Sequence, residues 1–458
     1  MPFASIPLHD NASPSRELTP DEEDNVLNIR NWLSPLVACA ALAVTACGGG
    51  GGGSGNASVR LVNATLSHSS ISLLSNGAAA VGATAIDTVS DYAGVAAGSP
   101  TLQVNDVTSG AALATLAPSV GKDAHYVVIA YESGGTLRTT VIAEDTAVPA
   151  AGTASLRVFD AATDAGALDV YVTDPAVDIA TLTSPSFSFT SVTALQASQL
   201  LSFAPGTYRV RVTGSGNPAD LRLDVPSVAL TSQEVANILV TPTIGGTLVN
   251  GSLLAQQGAI TSVRNTNARV RLAAAVTNGA LVTASAGAVP IATSLVSPSV
   301  AGYVLVPAGS PINVSVNSAS VAAPAGTLTA GSDSTLLVYG AAGAPTTNLI
   351  ADDNHLPAIA TNLKLRLVNG ITGAATPLTL DAAFAVIASN VPPGGASPYT
   401  IVAGSTALQL DVFSPASATP IYSSSNSPTP LSLPGNAVYT LFMLGDAAAP
   451  IHLLRRDR

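Results

Sequence analysis

The chain repeats itself four times, and this limits it to a tandem array of one small module. Four segments open on the same alternating strand: VRLVNA from Val59, LRVFDA from Leu156, VRLAAA from Val270 and LRLVNG from Leu365. Their arginines, Arg60, Arg157, Arg271 and Arg366, stand 97, 114 and 95 residues apart. A second landmark is a glycine leading into an alternating apolar–polar run, at Gly98, Gly206, Gly309 and Gly404. It follows its arginine by 38, 49, 38 and 38 residues, so the second repeat carries 11 extra residues, placed within 173–197. Each repeat closes on a continuous apolar strand and a final strand with a polar end, such as HYVVIAYE and then TVIAED. Self-similarity at a fixed period marks one supersecondary unit used repeatedly.

Side chains in these runs alternate with period two, the signature of half-buried strands, and Gly, Pro, Ser and Asn separate them. A unit of this length with about seven short strands has the size and rhythm of an immunoglobulin-like β-sandwich. The expected fold is therefore all-β, with four tandem sandwiches over 57–148, 153–257, 267–354 and 362–458. The short linkers favour a semi-rigid rod or two pairs of domains over independent beads. If the spacing is structural, the four glycines occupy equivalent turns and the four arginines align. Leu102, Tyr208, Ile312 and Leu408 should share one face, because a one-residue slip reverses burial along a strand.

The second repeat carries a family resemblance. Its segment ASLRVFDAATDAGALDVYVTDP, from Ala154, and then APGTYRVRV, from Ala204, is similar to the bacterial domain-of-unknown-function family 4397. That family opens with a strand like VRVVNASPDAP, continues with VDVYVDG and later shows a PAGTY element. Leu168, Asp169, Val170, Tyr171 and Val172 are the nearest match, and VSDYAGVAAGS of the first repeat fits the middle element. In repeats three and four, ALVTASAG and PLTLDAA depart from the second-strand pattern. The resemblance implies a secreted β-sandwich module, often lipid-anchored, with no established activity and no catalytic residues to carry over.

The N-terminal segment reads as an export signal. Residues 32–46 (WLSPLVACAALAVTA) form an apolar run of 15, too short to span a bilayer and of the length of a signal-peptide core. It ends in Val44, Thr45, Ala46 and Cys47, which resembles a bacterial lipobox. Cys47 is thus the expected lipidation site, with residues 1–46 a signal-peptide region and 47–56 the anchor and tether. Residues 21–24 are acidic where such a signal should be basic, and a translation start near Val26 resolves this. The glycine-rich run 48–55 is a flexible tether of roughly 16 Å root-mean-square reach. Gly48 rather than Asp after the cysteine implies the outer membrane in a Gram-negative host.

Chemistry is sparse. Charged residues make up only 10% of the chain. Losing the first 46 residues, with two Arg against six Asp or Glu, moves the net charge from −11 to −7. With only two lysines, Lys122 and Lys364, such a surface cannot displace the counterions of nucleic acid, and no nucleic-acid partner is expected. Both cysteines, Cys39 and Cys47, precede the repeats, so no disulfide or thiolate metal site is expected there. His68, His125, His355 and His452 are scattered without a paired-ligand motif. Asp352, Asp353, Asn354 and His355 read as a solvated linker, and Asp160, Asp164, Asp169 and Asp174 as turn residues rather than a Ca²⁺ site. Tyr92, Tyr303 and Tyr399, five or six residues before the landmark glycines, read as plugs of their own sandwiches rather than sugar-stacking platforms. The recurring arginines read as cross-strand partners on the polar faces of their sheets. No catalytic residue and no cofactor are expected. The function expected is a lipid-anchored envelope array of non-enzymatic domains for binding, adhesion or structure. The alternative is an accessory carbohydrate or cell-wall binding array for polysaccharide handling. Its partners would be the membrane, through the anchor, and an envelope glycan or protein.

Overall fold

The computed structural model describes residues 55–458 except 134, 183–187, 193–194 and 374–375. Cys47, the signal segment and most of the tether lie outside the described residues.

The first repeat shows the plan. Its strands are β1 (Asn56–Asn63), β2 (Ser70–Ser75), β3 (Ala78–Ala85), β4 (Ala93–Ala96), β5 (Leu102–Asp106), β6 (Ala112–Leu116), β7 (His125–Ser133) and β8 (Thr136–Ala143). One sheet has the order β4-β1-β7-β8 and the other β3-β2-β5-β6. All neighbours are antiparallel except β1 and β7, which run parallel with Arg60 beside Val127. The period-two pattern places Val59, Leu61, Ile71, Leu73, Leu102, Val104 and Val128 in the core between the sheets.

The other repeats reuse both orders, so the chain is a tandem array of four β-sandwiches. Each has eight strand positions rather than seven; the second adds a ninth edge strand, Ile260–Val263. The extra residues of that repeat fall between its second strand, Leu168–Thr173, and its third, Ser188–Val192.

The repeat landmarks align with one adjustment. Arg60, Arg157, Arg271 and Arg366 sit beside Val127, Asn237, Thr335 and Thr440 of their parallel seventh strands, which are equivalent positions. Gly98, Gly206 and Gly309 each lie opposite a buried residue, Val120, Leu230 and Leu328. In the fourth repeat that place belongs to Ser405, opposite Leu433, and Gly404 is one residue early. Only Gly98 and Gly309 take positive φ, +110° and +75°, so the glycines do not share one turn geometry. The third core position of the second strand pairs with Leu102, Val210, Ile312 and Leu410. Tyr208 and Leu408 therefore point to the core as expected but stand two residues before the equivalent position. The turn precedes that position by four residues in repeats one and two, three in repeat three and five in repeat four. Leu408 is thus displaced by a longer connection, whereas Tyr208 lies one core position early on the same strand.

The outer faces of the central sheets are not solvent faces. Repeats one and two pack sheet against sheet through Val62, Val127, Ile129 and Tyr131 on one side and Phe159, Leu239 and Leu254 on the other. Repeats three and four do the same through Ala273, Ala275 and Leu337 against Val368, Phe442 and Leu444. Four residues after each marker arginine stands a small residue, Ala64, Ala161, Ala275 or Gly370, and a Cβ on Gly370 would come within 2.8 Å of that of Ala275.

Candidate functional site

Each marker arginine faces away from its own core and into the neighbouring repeat. The expected cross-strand pairing is found for Arg157, Arg271 and Arg366, whose Nε donates to Asn237, Thr335 and Thr440 beside them. The faces are nevertheless closed over, since Arg60, Arg271 and Arg366 are 2–3% exposed. A buried guanidinium must find acceptors, or the cost is several kcal/mol. Arg60 Nε donates to Glu144 Oε2 at 2.7 Å, its Nη2 donates both to Glu144 Oε1 and to the carbonyl of Ala255 in repeat two, and its Nη1 donates to the carbonyl of Gly258. The hydroxyl of Tyr92 donates to Glu144 at 2.5 Å, and its ring lies 5.2 Å from the guanidinium.

In repeats three and four the same parts occur twice and are exchanged. Arg271 pairs with Asp457 of repeat four, while Arg366 pairs with Asp352 of repeat three. Tyr303 donates to Asp352 at 2.5 Å and Tyr399 to Asp457 at 3.2 Å. Thr335 donates to Asp352 at 2.7 Å while accepting from Arg271 Nε at 2.9 Å, and Thr440 plays the same part between Arg366 and Asp457. Burial opposes ionisation of Asp352, but Arg366 and Arg271 beside it hold its carboxyl below the usual range. Burial, and then Asp352, push the Tyr303 hydroxyl far up, so it stays a donor. The tyrosines sit where the fourth strand breaks, between Val300 and Val304 and between Ala396 and Thr400, an interruption that re-aims a side chain. Their hydroxyls bind carboxylates, and the rings plug a contact between repeats rather than their own sandwiches.

The second repeat lacks the set. Leu200 occupies the tyrosine position, Asn237 the threonine position and Gln256 the acid position. Arg157 is only partly buried and donates to Asn237 at 2.5 Å. Sequence reasoning missed Glu144, Asp457, Thr335 and Thr440. The signal was present in the polar residue that ends or follows the eighth strand of each repeat, but its arginine is supplied by another strand.

A second group forms where repeats one, two and four meet the third linker, around a cleft of 520 Å³. His355 Nδ1 faces Asp353 at 2.7 Å, and Nε2 faces the carbonyl of Thr243 at 2.9 Å, with Asp164 at 3.8 Å. A neutral imidazole donates from one nitrogen only, so the imidazolium fits this setting best. Burial opposes that charge, but Asp353 and Asp164 raise the His355 pKa above its ordinary value. Lys364 Nζ closes on Asp353 at 2.5 Å. The approach is tight: a Cβ on Gly246 would lie 2.2 Å from the backbone nitrogen of His355. The run Asp352–His355 is thus partly buried and structured, rather than a solvated linker.

The aspartates of repeat two separate. Asp169 accepts from Gly216 and Ser215, and Asp174 from the Ala176 amide, as turn residues do. Asp160 Oδ1 accepts from Ala162 at 2.8 Å, while Oδ2 is buried with no hydrogen-bond partner among the described residues. Burial, aided by Asp164, pushes its carboxyl up to about 7. Asn63 and Asn369 occupy the same strand position in repeats one and four, and their amide groups donate there to two carbonyls each. Asp160 puts a carboxyl where those two repeats have an amide. His68 pairs with Asp106 and His125 with Asp145, each at 2.9 Å, while His452 stacks on Tyr422. Among the described residues no three His, Cys, Asp or Glu converge as a metal site, and no helix is long and apolar enough to cross a membrane.

No curated protein matches the chain. Among solved structures it is similar to the Bacillus anthracis TIE protein, at 9% identity and a TM-score of 0.14, over 82% of this chain and 66% of that one. It therefore spans slightly less than two thirds of that protein. A family model matches from the first strand of repeat one to the second strand of repeat two: residues 57–171 match the Domain of unknown function (DUF4397), the family that the repeat landmarks resemble.

Proposed function

We propose that the chain is a non-enzymatic display array, anchored in a bacterial cell envelope by lipid on Cys47, whose sandwiches present binding surfaces outside the membrane. The observation that carries this reading is how the reactive side chains are used. Arg60 with Glu144, Arg271 and Arg366 with Asp457 and Asp352, and His355 with Asp353 are all committed to contacts between repeats or to the linker. Nucleophile, base and acid do not converge on an open cleft there, which is what acyl or glycosyl transfer needs. Rigid repeat pairs suit display, because a binding surface on a stiff support loses less entropy on association.

Metabolic labelling with palmitate, followed by membrane fractionation, tests the anchor. The full-length chain is expected in the labelled membrane fraction, and Cys47→Ser is expected to abolish the label. Label that survives this substitution would overturn the assignment of Cys47.

A further inference from the structure

The fourth repeat has a groove that differs from the clefts between repeats. Its walls are the sixth strand, Tyr422–Ser423, the Ser/Thr/Pro-rich segment 424–432 and the edge strand Ile451–Arg456, around 750 Å³. No Asp, Glu, Lys or Arg lines it, whereas Asp164, Asp353 and Lys364 line the junction cleft and Asp145 and Glu234 a cleft between repeats one and two. On one side Tyr422 and His452 stack, with ring centroids 4.1 Å apart and planes inclined by 29°. Burial holds the His452 pKa below its ordinary value, so the aromatic pair is uncharged at neutral pH. Opposite, Asn426, Thr429 and Ser432 are exposed, and their side chains make no hydrogen bond among the described residues. Ser423, Ser425 and Ser427, by contrast, spend their hydroxyls on local turns.

We infer that this groove is a binding site for a neutral oligosaccharide. The chemistry matches on three counts. A sugar ring has an apolar face of C–H bonds that lies flat on an aromatic surface, as the Tyr422–His452 pair offers. Its rim of hydroxyls both donates and accepts, and an Asn amide with two free hydroxyls answers both roles. A groove without charge gives a charged polymer nothing to offset its desolvation, so the preference is for neutral units. None of the groove's lining residues belongs to the buried arginine–carboxylate sets. This inference rests on the display reading and names the ligand class that one of the displayed surfaces takes.

The test is saturation-transfer NMR and titration calorimetry on the full-length chain in detergent. The probes are maltohexaose, cellohexaose, chitohexaose and mannohexaose, with hexagalacturonate as the charged comparison. At least one neutral hexamer should bind and hexagalacturonate should not. Tyr422→Ala and the double variant Asn426→Ala/Thr429→Ala should each weaken binding at least tenfold. Both Asn426 and Thr429 are exposed, so the double variant keeps the fold even if Tyr422→Ala does not. Absence of binding by all four neutral hexamers, preference for hexagalacturonate, or undiminished binding by the double variant would each overturn the inference. None of these outcomes bears on palmitate labelling of Cys47, so the two readings fail separately.

Discussion

The two repeat pairs solve one packing problem with different materials. Between repeats one and two the contact is broad and apolar, with Tyr131 set edge-on to Phe159 at 6.4 Å and Ile129, Leu239 and Leu254 around them. A single arginine–acid–tyrosine set, Arg60, Glu144 and Tyr92, lies at its margin. Between repeats three and four the strand faces carry small residues, Ala273 and Ala275, and the charged set is doubled and exchanged. The difference teaches that a buried arginine is tolerated in two ways. It can stay partly solvated with neutral partners, as Arg157 does, or it must be balanced by a carboxylate that is itself fully bonded. The second arrangement brings little net stability, because desolvation offsets attraction, but it makes register and partner choice strict.

The largest expected effect compares these two settings directly. Arg366→Leu strands Asp352 with one fewer cation and should cost roughly 3–5 kcal/mol. Arg157→Leu removes only hydrogen bonds to Asn237 and Ala143 and should cost about 1 kcal/mol. Guanidinium unfolding followed by circular dichroism reads both, and equal losses would break the comparison.

Next in size is Asp160→Asn, which makes repeat two resemble repeats one and four at that position. The carboxyl pKa is raised from 3.8 to about 7 in the fold, so the native state holds the proton more tightly than the unfolded chain. Stability supplied by that proton is present in acid and is lost as pH rises from 3.8 through about 7. The variant should be more stable than the parent at pH 8 by roughly 2–4 kcal/mol, with the gain vanishing below about pH 4. A pH-independent difference would contradict the protonated state.

Tyrosine deletions sharpen the comparison on a smaller scale. Tyr303→Phe takes a donor from fully buried Asp352 and should cost about 1–2 kcal/mol. Tyr399→Phe should cost less, since its hydroxyl is 3.2 Å from Asp457 rather than 2.5 Å. Thermal melts of the two variants side by side decide the order.

The smallest effect concerns the junction. His355 has a raised pKa, so its contribution is complete below the ordinary 6.5 and fades as pH rises through the higher folded value. The stability gap between the parent and His355→Gln should therefore shrink from pH 5.5 to pH 8.5, by under about 1 kcal/mol. A gap that widens with pH would reverse the assignment of charge.

Much of the fold was legible because its signals are local and repeated. Alternation at Val59, Leu61, Ile71 and Leu73 gives strands and faces, and the arginine spacing gives equivalent first strands. The glycine spacing was a poorer guide. It is one residue early in repeat four, because a serine can fill an extended turn position that does not need positive φ. The arginine contacts were half legible. Each strand shows a charged residue between apolar neighbours, which reads equally well as a solvated face or as a face buried against another sheet.

What the sequence by itself determined is the number of modules, their strand alternation and their likeness to one family, since these depend on neighbours in the chain and on period. Which module packs against which was decided only by tertiary structure. So were the exchange of Asp352 and Asp457 between repeats and the meeting of Asp164 with His355. Those contacts join side chains up to 191 residues apart, across distances that hydrophobic period does not encode. They exist because two sheets with apolar outer faces exclude water together, and the charged groups at that contact must then satisfy one another.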